Sequence, residues 1–151
     1  MKKILILLIL LFGHLYALDK KSTLKIYHQI FFSMLPKEEK IRVYTKDKEL
    51  LDIFRNSKKI IPVKTPEESD IIVVGNSAVY QKIHDLVVKQ KKREDVIIFA
   101  TDYHLLKKYP YIIGALYWKK GRSQLLFLRP RLEKYHITLP DEYQPFIVES
   151  L

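Results

Sequence analysis

The chain has no cysteine in 151 residues. That excludes a thiol nucleophile, a disulfide framework, a thiolate-bound metal and a lipid-modified N-terminal cysteine. With 4 Gly and 7 Pro, a collagen-like or low-complexity chain is also excluded. No GxGxxG and no Gly-Lys-Ser/Thr loop is present, so the usual phosphate-cradling motifs are missing. There is no GxSxG elbow. The five histidines, His14, His28, His84, His104 and His136, form neither an HxxxH nor an HxH pair, so no metal site is expected. Charge of one sign is also in short supply: 17 acidic residues face 27 basic ones.

What is present is apolar material, 48% of the chain, enough for a folded core. The length allows one ordinary domain. Lys2 and Lys3 precede an unbroken apolar run over residues 4–12, and Leu15-Tyr16-Ala17 follows with a small last residue. This is the layout of a secretory signal peptide. A membrane-spanning helix needs about 20 apolar residues, so residues 1–17 are read as a cleaved leader and not as a stable anchor. Residues 18–151 are then a single periplasmic domain. Losing Lys2 and Lys3 from the total of +10 leaves a net charge of +8. In an exported protein this points to an anionic surface or an acidic protein, not to nucleic acid. The densest cationic run, Lys89, Lys91, Lys92 and Arg93, falls where a helix should end and complements its dipole.

Residues 22–35 read as a helix that Ser22 or Thr23 caps and Pro36 follows. Leu24, Tyr27, Phe31, Met34 and Leu35 form one apolar stripe, and Ile26 and Ile30 a second ridge one turn apart. Residues 41–45 read as a strand. Asp47 caps a helix carrying Leu50, Leu51, Ile53 and Phe54, and 59–63 is a short strand. A polar turn at 65–69 leads to Asp70-Ile71-Ile72-Val73-Val74-Gly75, an apolar run that suits a strand covered on both faces. Asn76 caps a helix with Val79, Ile83, Leu86 and Val87 on one side. Residues 96–100 repeat the buried-strand pattern. Thr101-Asp102 opens a short helix that Pro110 stops. Strands at 112–118 and 123–128 flank Lys119-Lys120-Gly121-Arg122, a hairpin turn in which Gly supplies a positive φ. The tail from Arg131 is less regular, with one or two helical turns at 141–148 limited by Pro145. The order predicts a single three-layer α/β sandwich. Its sheet is largely parallel, with an antiparallel hairpin near the C-terminus and the N-terminal helix packed on it.

Candidate chemistry is sparse. Gly75-Asn76-Ser77 opens a helix, a place that can hold an anion, although Asn and Ser there also serve as caps. His84 and Asp85 are adjacent on a helix, where side chains diverge. Glu67, Glu68 and Asp70 form an acidic turn before a strand. No catalytic residue, metal ligand or cofactor is expected. The residue types that dominate interfaces are concentrated in Tyr103, Tyr109, Tyr111, Tyr117, Trp118 and Arg122.

The segments Thr23-Leu24-Lys25-Ile26-Tyr27, Ile41-Arg42-Val43-Tyr44, Asp70-Ile71-Ile72-Val73-Val74 and Ile97-Ile98-Phe99-Ala100-Thr101-Asp102 are arranged in a recognisable order. Ile113-Gly114-Ala115-Leu116-Tyr117 and Gln124-Leu125-Leu126-Phe127 complete it. This arrangement resembles the YfiR-like periplasmic regulators over roughly residues 24–148. It departs from that pattern in lacking cysteines and in replacing a final leucine-rich helix with residues 141–147. The resemblance implies a non-enzymatic protein that restrains an inner-membrane partner, such as a diguanylate cyclase of cyclic-di-GMP signalling, by binding its periplasmic domain. Ile26, Ile30, Tyr103, Trp118 and Arg122 are the expected partner-binding residues, with the Ile26–Ile30 ridge exposed. The same ridge would serve a homodimer. A periplasmic small-ligand binding protein is the alternative. Mass spectrometry of the exported protein is expected to give a chain starting at Leu18; an intact form confined to the cytosol would contradict export.

Overall fold

The computed structural model describes residues 19–89 and 95–151. The expected leader, with His14, and the cations at 91–93 lie outside these. The elements are α1 (Lys20–Met34), β1 (Ile41–Thr45), α2 (Lys48–Phe54), β2 (Ile60–Pro62), β3 (Ile71–Val74), α3 (Ser77–Ile83), β4 (Ile97–Ala100), α4 (Tyr103–Lys108), β5 (Ile112–Lys119), β6 (Arg122–Leu128), α5 (Arg129–Lys134) and β7 (Ile147–Val148). A 3-10 turn at Pro66–Glu68 sits where the polar turn is expected, and a π-helical turn at His84–Lys89 continues α3.

One sheet carries all seven strands in the order β2-β1-β3-β4-β5-β6-β7. Pairing is parallel from β2 through β5, antiparallel between β5 and β6, and parallel again between β6 and β7. The expected mostly parallel sandwich with a late antiparallel hairpin is therefore what the chain builds. The side chains of β3 and β4 are buried throughout. Because strand side chains alternate in direction, Ile71, Val73, Ile97 and Phe99 enter one core and Ile72, Val74, Ile98 and Ala100 the other.

The first core is covered by α1 and α2. Phe31 touches both Phe54 and Phe99, with ring centroids at 5.9 and 6.3 Å, and Tyr27 meets Phe54 edge-on at 5.3 Å. Phe127 continues this aromatic line 6.0 Å from Phe99. It fits because Gly114 lies beneath it: a Cβ at 114 would fall 2.5 Å from Phe127 Cδ1 and 2.9 Å from the Leu126 carbonyl oxygen. The second core is covered by α3 and α4, where Tyr80 stacks on Tyr109 at 3.9 Å.

Several local expectations are corrected. Helix α1 begins two residues earlier than residue 22, because Asp19, and not Ser22 or Thr23, is the cap: its Oδ1 accepts from the Ser22 amide at 2.7 Å. An aspartate carboxylate one turn upstream serves the same orphan amides. The tail holds a helix, α5, that starts at Arg129 with Pro130 in its first turn, a position proline favours. Residues 141–148 divide into a 3-10 turn at Asp141–Phe146 and the edge strand β7. Arg131 of α5 ties this region together. Its Nη1 donates to the carbonyls of Leu106, Tyr109 and Ile112 at 2.8, 3.0 and 2.6 Å. Burial lowers its pKa, while the three carbonyl oxygens gather around Nη1.

Gly114→Ala is expected to destabilise the fold by roughly 1–3 kcal/mol through overpacking against Phe127 and backbone. Chemical denaturation beside the parent chain measures this. An unchanged midpoint would mean that the β5–β6 contact relaxes freely.

Candidate functional site

The layer over the first core does not extend to the end of the hairpin. Along β5 burial is complete from Ile112 to Ala115, then falls away to exposed Trp118 and Lys119; β6 mirrors it. Between α1, the hairpin face and the Asp141–Phe146 turn lies a groove of about 410 Å³. Ile26, Gln29 and Ile30 form its helical wall. Leu116, Ser123 and Leu125 form its sheet floor, and Glu142, Tyr143 and Phe146 its third side.

Each wall has a local cause. Ile26 and Ile30 lie one helical turn apart, so they project side by side. Leu116 and Leu125 are register partners across the hairpin, and cross-strand partners share a face. The 3-10 turn is fastened at Tyr143, whose hydroxyl is hydrogen-bonded to Ser33 Oγ at 3.0 Å and whose ring meets Phe127 edge-on at 6.2 Å. Phe146 leans on Tyr143 at 6.4 Å and remains 40% exposed at the rim.

The five expected binding residues do not form one surface. Ile30 is 2% exposed and belongs to the core, so the expected exposed ridge does not exist there. Ile26 is half-buried. The helix is turned so that the groove, and not solvent, takes this side. Trp118 is 54% exposed and, two residues beyond Leu116, shares the groove's face of the sheet. Tyr103 lies on the opposite face. It packs on Tyr117 at 5.5 Å, with Lys119 Nζ 5.8 Å from its ring centroid. Arg122 pairs with Lys119 in the hairpin register and alternates onto that same opposite face.

Leu116, Leu125, Tyr143 and Phe146 are the residues that sequence reasoning did not single out. The two-residue spacing of Leu116 and Trp118, and of Ser123 and Leu125, already put them on one face of a hairpin. Nothing local identified α1 and the C-terminal turn as the other walls.

The remaining candidates have structural duties. Asn76 Oδ1 accepts from the Val79 amide at 3.0 Å and serves as a cap to a helix of 7 residues. Asp70 holds Arg42 bidentately, at 2.8 and 3.2 Å, and accepts from the Arg42 amide at 2.8 Å. The carboxylate raises the Arg42 pKa and joins β1 to the start of β3. His84 Nδ1 lies 3.8 Å from Asp85 Oδ1, too far for a hydrogen bond. His28 packs on Phe32 at 4.5 Å, while His104 and His136 are exposed. Tyr109 and Tyr111 belong to the second core with Tyr80, whose hydroxyl burial pushes up to about 12. Among the described residues no group of three His, Cys, Asp or Glu could hold a metal ion. Nor is any helix there long and apolar enough to cross a membrane.

These features define a doubly wound open α/β sheet whose first five strands follow the order 2-1-3-4-5, extended by β6, the hairpin partner of β5, and the edge strand β7. No protein-family model matches the chain, and no curated protein does. A conserved domain protein from Vibrio cholerae O1 biovar El Tor strain N16961 has a similar structure, with a TM-score of 0.59 and 12% sequence identity. The similarity covers 85% of this chain and 60% of that one. At that identity the shared feature is the fold.

Ile30→Asp is expected to abolish folding, since it buries an unpaired charge in a domain whose whole stability is on the order of 5–15 kcal/mol. Phe146→Ser, at the rim, should shift stability by less than about 1 kcal/mol. Circular-dichroism melts of the two variants test this pair of outcomes, and a folded Ile30→Asp chain would remove that wall of the groove.

Proposed function

We propose that this chain is an exported, non-enzymatic regulator that binds and restrains an inner-membrane signalling protein through that protein's periplasmic domain. The observation that carries the reading is the groove between α1, the hairpin and the Asp141–Phe146 turn. Its apolar walls, with exposed Phe146 and Trp118 on the same side, have the composition of an interface centre, in which aromatic anchors fill a neighbour's pocket or receive its side chains. An exposed apolar patch of this kind marks an interaction site more often than idle surface. The leader-like residues 1–17 and the resemblance to YfiR-like regulators supply the compartment and the class of partner, with a diguanylate cyclase as the leading example.

The groove's volume favours one second reading, that of a small-ligand binding protein. About 410 Å³ falls within the range of small-molecule pockets, and Gln29, Ser123 and Glu142 add polar groups to the apolar walls.

Capture from solubilised membranes by the tagged chain separates the two. The parent chain is expected to retain a membrane signalling protein. Leu125→Asp together with Phe146→Asp should lose it by at least about tenfold, the effect of removing one interface anchor, while the melting curve shows the variant folded. Equal retention by parent and variant would move the interface elsewhere. Retention of no membrane protein, together with a melting point raised by a small-molecule extract only for the parent, would favour the second reading.

A further inference from the structure

We propose that the tip of the β5–β6 hairpin binds the surface of an anionic phospholipid bilayer. The inference shares Trp118 with the groove's side of the sheet but rests on the cations of the turn, and it stands without the regulator reading.

The hairpin outruns the rest of the sheet. Ala100, the last residue of β4, pairs with Ala115, and β5 continues through residues 116–119. At roughly 3.3 Å per residue the tip stands about 13 Å beyond its neighbour strand. It carries Trp118, Lys119, Lys120 and Arg122, all exposed. Along the chain around the tip, from Tyr103 to Leu132, there is no Asp or Glu.

The turn itself is chosen for charge over ease of folding. Lys120 has φ 50° and Gly121 φ 75°, the paired positive angles of a two-residue type I′ turn. The first of these positions favours Asn, Asp or Gly; a lysine in the left-handed region is conformationally costly. An exposed cation is thus held in the hairpin's turn, where Asn or Gly would fold more easily. A Cβ added at Gly121 would meet nothing within 4 Å, so the turn faces open space there.

A convex, cationic apex beside an exposed indole matches a bilayer surface better than an acidic peptide. Tryptophan settles at the headgroup level with its ring in the apolar boundary. Lysine and arginine remain among the phosphates, where each contributes about fivefold to partition onto an anionic leaflet. A peptide would need a concave seat, and the tip has none. Contact of this kind is peripheral and reversible, and it would hold the domain with the carboxyl ends of its parallel strands toward the membrane.

Trp118 is the only tryptophan, so the full chain reports its own binding. Vesicles of phosphatidylcholine mixed with phosphatidylglycerol are expected to shift its fluorescence to the blue and to carry the protein down on sedimentation, with both effects reduced by salt. The variant Lys119→Gln, Lys120→Asn, Arg122→Gln keeps a favourable Asn-Gly turn. It should lose about a hundredfold in partition with a circular-dichroism melt no lower than the parent's. Three results would overturn the proposal. One is equal binding to pure phosphatidylcholine. Another is sedimentation that the triple variant retains while Trp118 fluorescence stays unmoved, which would assign binding to residues 1–18. The last is a fluorescence response to soluble polyglutamate with none to vesicles, which would assign the tip to an acidic protein segment.

Discussion

The burial of β3 and β4 on both faces is the constraint from which the rest of the architecture follows. Eight consecutive-strand residues, Ile71 to Val74 and Ile97 to Ala100, are buried without exception. A sheet centre of that kind is stable only if both faces receive an apolar layer. Helices α1 and α2 supply one and α3 and α4 the other. Crossovers supply three of these helices: α2 between β1 and β2, α3 between β3 and β4, and α4 between β4 and β5. Each returns the chain to a parallel neighbour, while β2 reaches β3 through a 3-10 turn. The aromatic contacts among Tyr27, Phe31, Phe54, Phe99 and Phe127 are how the first layer is filled, and Gly114 is the concession that lets Phe127 approach.

Where the layers end, function becomes plausible. The central strands are four residues long, whereas β5 and β6 have 8 and 7. The hairpin therefore leaves the covered region. Its base closes against α1 and the Asp141–Phe146 turn incompletely, which creates the groove. Its tip extends past the neighbouring strand, with Tyr103 against Tyr117 and Lys119 on one face, and gathers Trp118 with three cations. The two candidate surfaces share one origin, a mismatch in strand length, yet differ in chemistry: the groove is concave and sets Gln29, Ser123 and Glu142 among apolar walls, whereas the tip is cationic and convex. A regulator that docks on a periplasmic domain while its hairpin rests on the adjacent membrane would use both.

Much of this was legible from local chemistry. Apolar runs without alternation marked β3 and β4 as central strands. Asp47, Asn76 and Asp102 were readable as caps, and each accepts from amides of the helix it precedes. The Lys120-Gly121 turn was readable from its glycine. Less legible were elements whose cues depend on neighbours. Asp19 competes as a cap with Ser22 and Thr23, and only helix geometry decides among them. Helix α5 carries Pro130 in its first turn, a residue that more often reads as a breaker. Strand β7 has two residues, too few for any periodicity.

Periodicity also separated Ile26 and Ile30 from the main stripe of α1, but it carried no information on what that second ridge meets. The sequence by itself determined the alternation of strands and helices, the parallel sheet with its late hairpin, and the cationic tip, because caps, turns and apolar periods act over a few residues. Only the tertiary structure decided that Ile30 is core, that Tyr103 and Trp118 lie on opposite faces, and that Tyr143 and Phe146 complete a groove. Those facts depend on contacts between separate elements, from Tyr103 with Tyr117 to Ser33 with Tyr143, 110 residues apart, and no local interaction encodes the angle at which such elements meet.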